Sequence, residues 1–169
     1  MGFLPSKKTQ LYVEIVLLIL RLYEYNNGLS STDKDLLLVY KKELMILGEA
    51  ALDSLRKGVM YFEDHKGDVM EKLSTNFGFF SIQEGGSKRA PCDRYVFCQK
   101  TFQEFFSGYF LAFSVIDDVT NFHSVVTGET YMGELLQVFK FMIGFLAQRS
   151  EKTAVSVVRS KIGRASCRE

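Results

Sequence analysis

Tryptophan is absent from this 169-residue sequence, and proline, cysteine and histidine are scarce, with two, three and two residues. So few prolines in a chain that is 47% hydrophobic indicate a packed, ordered core and argue against disorder. An odd number of cysteines argues against a secreted disulfide scaffold, because such scaffolds pair their cysteines. We therefore expect a cytoplasmic protein.

An excess of charge of one sign is also lacking. The 21 Lys and Arg residues offset 20 Asp and Glu residues, which leaves a net charge of +1. Such a balance argues against strong non-specific attraction to nucleic acid or to an anionic membrane. The longest apolar run, residues 15–20, lies between Glu14 and Arg21 and is far too short to span a bilayer. We expect neither nucleic acid nor membrane as a partner.

Catalytic and ligand-binding motifs are missing as well. No G-x-x-x-x-G-K-[ST] pattern is present, so the sequence encodes no phosphate-binding loop. Cys92 and Cys98 have five residues between them, and His65 and His123 are isolated, whereas zinc sites use closer pairs. We expect no catalytic residue, no metal and no cofactor bound by this chain alone, and hence no enzyme.

Two long helices are predicted in the first third of the chain. The first begins after an N-cap at Ser6 and ends at Asn26-Asn27-Gly28, where left-handed geometry is tolerated. Its expected core face is Leu11, Ile15, Leu18, Ile19 and Leu22. The second runs from a cap at Ser31 or Thr32 to about Lys57, before Gly58, with a buried stripe of Leu37, Tyr40, Leu44, Leu47, Ala51 and Leu55.

Shorter elements follow. We predict a strand over 59–62, a helix over 64–77, and a hairpin of strands 79–83 and 94–99 joined by a long basic loop. This order is that of a winged helix with residues 84–94 as its wing. The fold class is mainly α with a small β-hairpin, a winged-helix domain flanked by helical segments. A last helix is predicted over about 134–148, with an exposed edge at Gln137, Lys140, Gly144 and Gln148.

The stretch YVFCQKTFQEFFSGYF (95–110) changes from strand to helix spacing within a few residues. Thr101 and Glu104 fit a capping box, in which each side chain bonds a free amide of the first helical turn. Replacing Thr101 with Ala should then cost about 1 kcal/mol. The helix carries an aromatic stripe at core spacing, which we interpret as packing rather than a ligand site: Phe102, Phe105, Phe106, Tyr109, Phe110 and Phe113.

The final residues IGRASCRE (162–169) break the apolar pattern and are similar to the translation of a common short-read sequencing adapter. We expect that they are not native sequence and form no part of the fold.

Three segments resemble one family. YVFCQKTFQEFFSGYFLA (95–112) is similar to the end of the winged-helix domain of NACHT-domain, NLR-type receptors, where a strand ending Phe-x-His leads into Thr/Ser-Phe-Gln-Glu-Phe. LGEAALDSLRKGVMYFED (47–64) and LPSKKTQLY (4–12) resemble segments of the same module. The resemblance implies the end of a first helical domain at 1–29, a winged-helix domain at 30–116 and the start of a second helical domain at 117–161.

The resemblance also implies a function. Such a fragment couples the ADP or ATP state of a nucleotide-binding NACHT domain, supplied in cis with Mg, to autoinhibition and to homo-oligomerisation in innate immune signalling. A leucine-rich or other sensor region would follow, also in cis. The family histidine that contacts the ADP phosphate falls on Gln99 here. A glutamine amide donates only a neutral hydrogen bond, so this contact should be weaker than that of a histidinium.

The alternative function is a small DNA-binding winged-helix regulator, with Lys88, Arg89 and Arg94 of the wing on phosphate. Against it, the predicted recognition helix is of mixed charge, whereas helices that face phosphate are usually basic. The acidic residues of that helix are Asp64, Asp68 and Glu71, against Lys66 and Lys72. A free-standing helical interaction domain, or a non-functional copy of a duplicated gene, is a third possibility.

Overall fold

The structure is a computed structural model that describes residues 7–29, 34–63, 77–87, 90–117, 133 and 135–149, with only the backbone described between 84 and 93. The helices are α1 (Lys7–Asn26), α2 (Leu36–Val39), α3 (Lys41–Arg56), α4 (Lys100–Asp117) and α5 (Leu136–Arg149). The strands are β1 (Tyr61–Glu63), β2 (Phe80–Ser87) and β3 (Ala90–Phe97). The predicted class is confirmed: the described chain is mainly helical with one small antiparallel sheet.

The sheet has the strand order β1-β3-β2, so β3 is central. Tyr61 pairs with Val96 on one side of β3, and β2 pairs with the other side from Phe80↔Phe97 to Ser87↔Ala90. The prediction of a long unpaired wing over 84–94 was therefore wrong. Glycines at 85 and 86 suggested a loop, yet residues without side chains still form backbone ladders. The helix predicted over 64–77 lies outside the described residues, apart from Phe77.

The second predicted helix is two helices in the structure. It breaks at Tyr40, whose φ of −96° and ψ of 22° are not helical. The α2 cap is Asp35, whose carboxylate accepts from the Leu37 amide at 3.1 Å; the caps predicted at 31 and 32 lie outside the described residues. Apart from Tyr40, the predicted stripe is confirmed as core, and its buried members are Leu37, Leu44, Leu47, Ala51 and Leu55. Gly58 ends α3 with a φ of +71°.

Helix α1 buries a different face from the predicted one. Val13, Val16 and Leu20 lie in the core, whereas Leu11, Leu18 and Leu22 are more than half exposed. The prediction was wrong for these three leucines, whereas Ile19 is partly buried against the core. Helix α1 is apolar on two sides, and the buried side includes two polar residues, Thr9 and Glu24. Glu24 can be buried because it accepts a hydrogen bond from the Tyr40 hydroxyl at 3.1 Å.

Glycines let three helix pairs approach closely. A Cβ at Gly48 of α3 would lie 2.5 Å from the Phe106 carbonyl oxygen, and one at Gly108 of α4 would lie 2.6 Å from the Phe141 Cβ. A Cβ at Gly144 of α5 would meet the Thr9 side chain of α1 at 2.6 Å. Gly144 is therefore buried, and its prediction as part of an exposed edge was wrong, because its lack of a side chain serves packing there.

Within the described ranges, none of the helices combines the length and the apolar content that crossing a bilayer requires.

Candidate functional site at the joint of β3 and α4

The site that the sequence points to is the joint between β3 and α4. The Phe97 amide donates to the Met60 carbonyl at 3.0 Å, and the Cys98 amide donates to the Phe79 carbonyl at 3.2 Å. One residue later the bonding becomes helical: the Gln99 carbonyl accepts from the Phe102 amide at 3.1 Å. Cys98, Gln99 and Lys100 are all exposed, so this three-residue joint presents its side chains to solvent.

The predicted capping box is not formed. Helix α4 begins at Lys100, and the carbonyl that accepts the first helical bonds belongs to Gln99. Thr101 is therefore already inside the helix, and Glu104 lies too far along it to reach back to a cap. The prediction was wrong because the sheet pairing ends at Cys98, which starts the helix earlier than the threonine suggested.

Glu104 instead marks where α1 and α4 begin side by side. Burial raises the pKa of its carboxyl group, while the positive charges of Lys100 and Lys8 lower that pKa. Lys8 is in the first turn of α1, and Lys100 is the first residue of α4. Positive side chains at two helix starts, whose free amides carry partial positive charge, favour a nearby anion. The half-buried Glu104 carboxylate offsets part of that charge.

Gln103, a residue of α4 to which the sequence analysis assigned no role, holds the joint in place through buried hydrogen bonds. Its side chain is fully buried, and its Nε2 donates to the Ser54 hydroxyl at 2.7 Å and to the Val59 carbonyl at 2.8 Å. The signal in the sequence was a polar residue on the buried side of a helix otherwise lined by aromatics. Gln103 thereby fixes the start of α4 against the end of α3.

The aromatic stripe packs as predicted. Phe105, Phe106, Tyr109 and Phe113 are buried, and Phe102 and Phe110 are packed against the core while partly exposed. Its rings join α4 to α1, to α5 and to the residue before β2. Phe106 meets Phe79 before β2 with ring centroids 4.9 Å apart, Phe102 meets Tyr12 of α1 at 5.4 Å, and Phe105 meets Phe145 of α5 at 5.1 Å.

The far end of the stripe is held by polar contacts. The buried Tyr109 hydroxyl donates to the Leu37 carbonyl at 2.6 Å. Two cations lie near Phe113, with Lys41 Nζ 5.2 Å and the Arg149 guanidinium 5.8 Å from its ring centroid. These contacts connect the end of α4 to α2, α3 and α5. Helix α4 is therefore held in place at both ends, at the joint and at its C-terminal end.

The exposed joint presents side chains that can take part in binding. Gln99 can offer an amide donor and Lys100 a positive charge, while Cys98 is a free, exposed thiol. Across the described part of the chain, no three His, Cys, Asp or Glu side chains gather as a metal would require.

A comparison of the sequence with protein-family models found no match, and a search of curated proteins found none either.

Proposed function

We propose that this chain is the winged-helix regulatory segment of an NLR-type signalling ATPase, and that it couples the ADP or ATP state of a nucleotide-binding domain to autoinhibition and oligomerisation. The proposal rests on the resemblance of residues 95–112, 47–64 and 4–12 to that module. In this proposal the chain hydrolyses nothing, and its partners in cis are the nucleotide-binding domain and a sensor region in the cytoplasm.

The observation that carries the proposal is the exposed joint at the start of a rigid helix. Gln99 stands at the position of the family histidine, its side chain is exposed, and its carbonyl is held by the first turn of α4. A phosphate placed there would meet an amide donor, the Lys100 charge and the amides of a helix start. Because Gln103 and the aromatic stripe fix α4, the domain can transmit a change at this contact as a rigid body.

The identity of residue 99 sets the strength of the closed state. A glutamine amide donates a neutral hydrogen bond, and charge-assisted bonds are roughly twice as strong. We therefore expect the ADP-bound, closed form to be weaker with Gln99 than with histidine. A parent protein with this sequence would release ADP faster and oligomerise more readily without a stimulus.

The test is the ADP dissociation rate of the full-length parent protein with Gln99 and with Gln99→His. The proposal predicts slower ADP release and less basal oligomer in the histidine variant. Gln148→His is the matched control, because Gln148 is also exposed on a helix but lies at the end of α5. Equal ADP dissociation rates for Gln99 and Gln99→His would remove residue 99 from the phosphate contact.

Among the basic residues of the wing, only the side chain of Arg94 is described, and its contacts give DNA binding, the alternative function, no support. Arg94 pairs with Glu63 at 3.1 Å and stacks on Tyr61, with its guanidinium 4.7 Å from the ring centroid. An arginine held in this way offers less charge to a phosphate. A gel-shift titration of the 169-residue chain with duplex DNA at several salt concentrations separates the two functions, since DNA binding would weaken steeply with salt.

A further inference from the structure

Helix α1 carries an apolar row on the side that faces away from the core. Leu11, Leu18 and Leu22 are 56%, 57% and 53% exposed, and Tyr25 is 82% exposed. Half-buried Ile15 continues the same line, and we call these five residues the outer row. Scattered apolar side chains are normal on protein surfaces, whereas a continuous row along a 20-residue helix indicates an interface.

The spacing of the outer row is that of a coiled-coil seam. Its positions 11, 15, 18, 22 and 25 are separated alternately by four and three residues, which is the a/d pattern of a heptad repeat. Leu11, Leu18 and Tyr25 take one seam position, and Ile15 and Leu22 take the other. The core side of α1, with Val13, Val16 and Leu20, is separate, so a partner helix could cover the row without disturbing the fold.

Two charges on one flank of the row show which partner fits. Glu14 and Arg21 occupy equivalent positions, one heptad apart, and both are exposed. Within the described part of the chain neither forms a salt bridge. In an antiparallel pair of identical helices centred near Leu18, Glu14 of one copy lies opposite Arg21 of the other, and the twofold axis forms this pair twice.

The parallel arrangement lacks this match. Glu14 and Arg21 occupy g positions of the heptad, and in a parallel coiled coil these face the e positions of the partner. Glu14 would then lie opposite Ile19, and Arg21 opposite Asn26. Charge complementarity therefore selects the antiparallel arrangement and a partner that carries the same two residues.

We propose that the outer row is the seam of a symmetric antiparallel homodimer, in which α1 packs on α1 of a second copy of this chain. The interface requires no nucleotide and does not involve residue 99, so it goes beyond the regulatory function proposed above. The ADP dissociation test and the dimer test can therefore fail separately.

The experiment measures the molar mass of the full 169-residue chain by sedimentation equilibrium between about 1 and 100 μM. The unmodified chain should form a concentration-dependent dimer. Leu18→Glu should remain monomeric over this range, and its thermal unfolding should be unchanged because the Leu18 side chain is 57% exposed. A chain that is monomeric throughout, or a dimer that Leu18→Glu leaves intact, would overturn the proposal.

A charge exchange tests the antiparallel pairing. Glu14→Arg and Arg21→Glu each place like charges together at two symmetric points, so each alone should weaken the dimer about tenfold. The double variant restores opposite charges and should dimerise as the unmodified chain does. Glu49→Arg, the same charge change at an exposed site on α3, is the control. Failure of the double variant to recover would show that a different arrangement, or a different partner, covers the row.

Discussion

The side-chain nitrogen of Gln103 lies 2.7 Å from the Ser54 hydroxyl and 2.8 Å from the Val59 carbonyl oxygen, so one buried amide joins α4 to the end of α3 and to the segment that leads into β1. Ser54 in turn donates to the Ala51 carbonyl at 2.9 Å. Among the described residues, Gln103 Oε1 has no partner. The amide is therefore retained for its two donated bonds, although its oxygen loses solvation on burial.

Gln103→Ala should lower the free energy of unfolding by about 2–4 kcal/mol, because it leaves the Val59 carbonyl unpaired and opens a cavity in the core. Urea unfolding measures the change. Ser114→Ala is the control, since the one bond of the Ser114 hydroxyl within the described residues goes to the Phe110 carbonyl of its own helix at 2.7 Å, and its loss should matter little. A loss below about 1 kcal/mol for Gln103→Ala would show that the link contributes no more than an ordinary hydrogen bond.

Thr101→Ala tests whether Thr101 caps α4, as the sequence predicted, or lies inside the helix, as in the structure. With Thr101 inside the first turn of α4 rather than at its cap, the change should shift the free energy of unfolding by less than about 0.5 kcal/mol. A true N-cap would lose about 1 kcal/mol. Thermal unfolding at one pH distinguishes the two, and a marked fall in the midpoint would restore the capping box.

The aromatic stripe was predictable because it depends on local spacing. Phe105, Phe106 and Tyr109 could be assigned to the core from their helical periodicity alone. The mistakes arose where two local signals competed. Thr101 has a good capping pattern, but the end of the β3 pairing determines where α4 starts. Tyr40 fits a helical stripe, yet Asp35 caps a short helix that ends there.

The face that α1 buries could not be predicted, since both of its sides are apolar. The sequence favoured the leucine-rich side, whereas the structure buries Val13 and Val16 and accepts the polar Thr9 against Gly144 of α5. That choice depends on contacts between segments far apart in the chain. Gln103 was missed for the same reason, because both of its bonding partners lie more than 40 residues away.

Gly108→Ala tests the close approach of α4 and α5. An added Cβ would lie 2.6 Å from the Phe141 Cβ and 3.0 Å from the Met142 amide nitrogen, so the helices must separate at a cost of about 1–3 kcal/mol or more. Gly133→Ala is the matched control, because its Cβ would meet nothing within 4 Å. Similar urea midpoints for the two variants would show that α5 can shift freely against α4.

The folded chain should lose stability at alkaline pH through two tyrosines. Burial, followed by the hydrogen bond to Glu24, raises the pKa of Tyr40 to about 12, and burial raises the pKa of Tyr109. In the unfolded chain both phenols should ionise near pH 10. The fold holds these protons more tightly, so this stability is fully present below about pH 10 and declines as the pH rises towards the folded values.

The double variant Tyr40→Phe/Tyr109→Phe should flatten this decline, because neither side chain can then ionise. Tyr109→Phe alone should also lower the free energy of unfolding at neutral pH by about 1 kcal/mol, since it leaves the Leu37 carbonyl without its donor. Urea midpoints between about pH 8 and about pH 11 measure both effects. Tyr25→Phe is the control, because Tyr25 is 82% exposed. An equally steep alkaline loss in the double variant would place its origin in other groups, such as the lysines of the surface ion pairs.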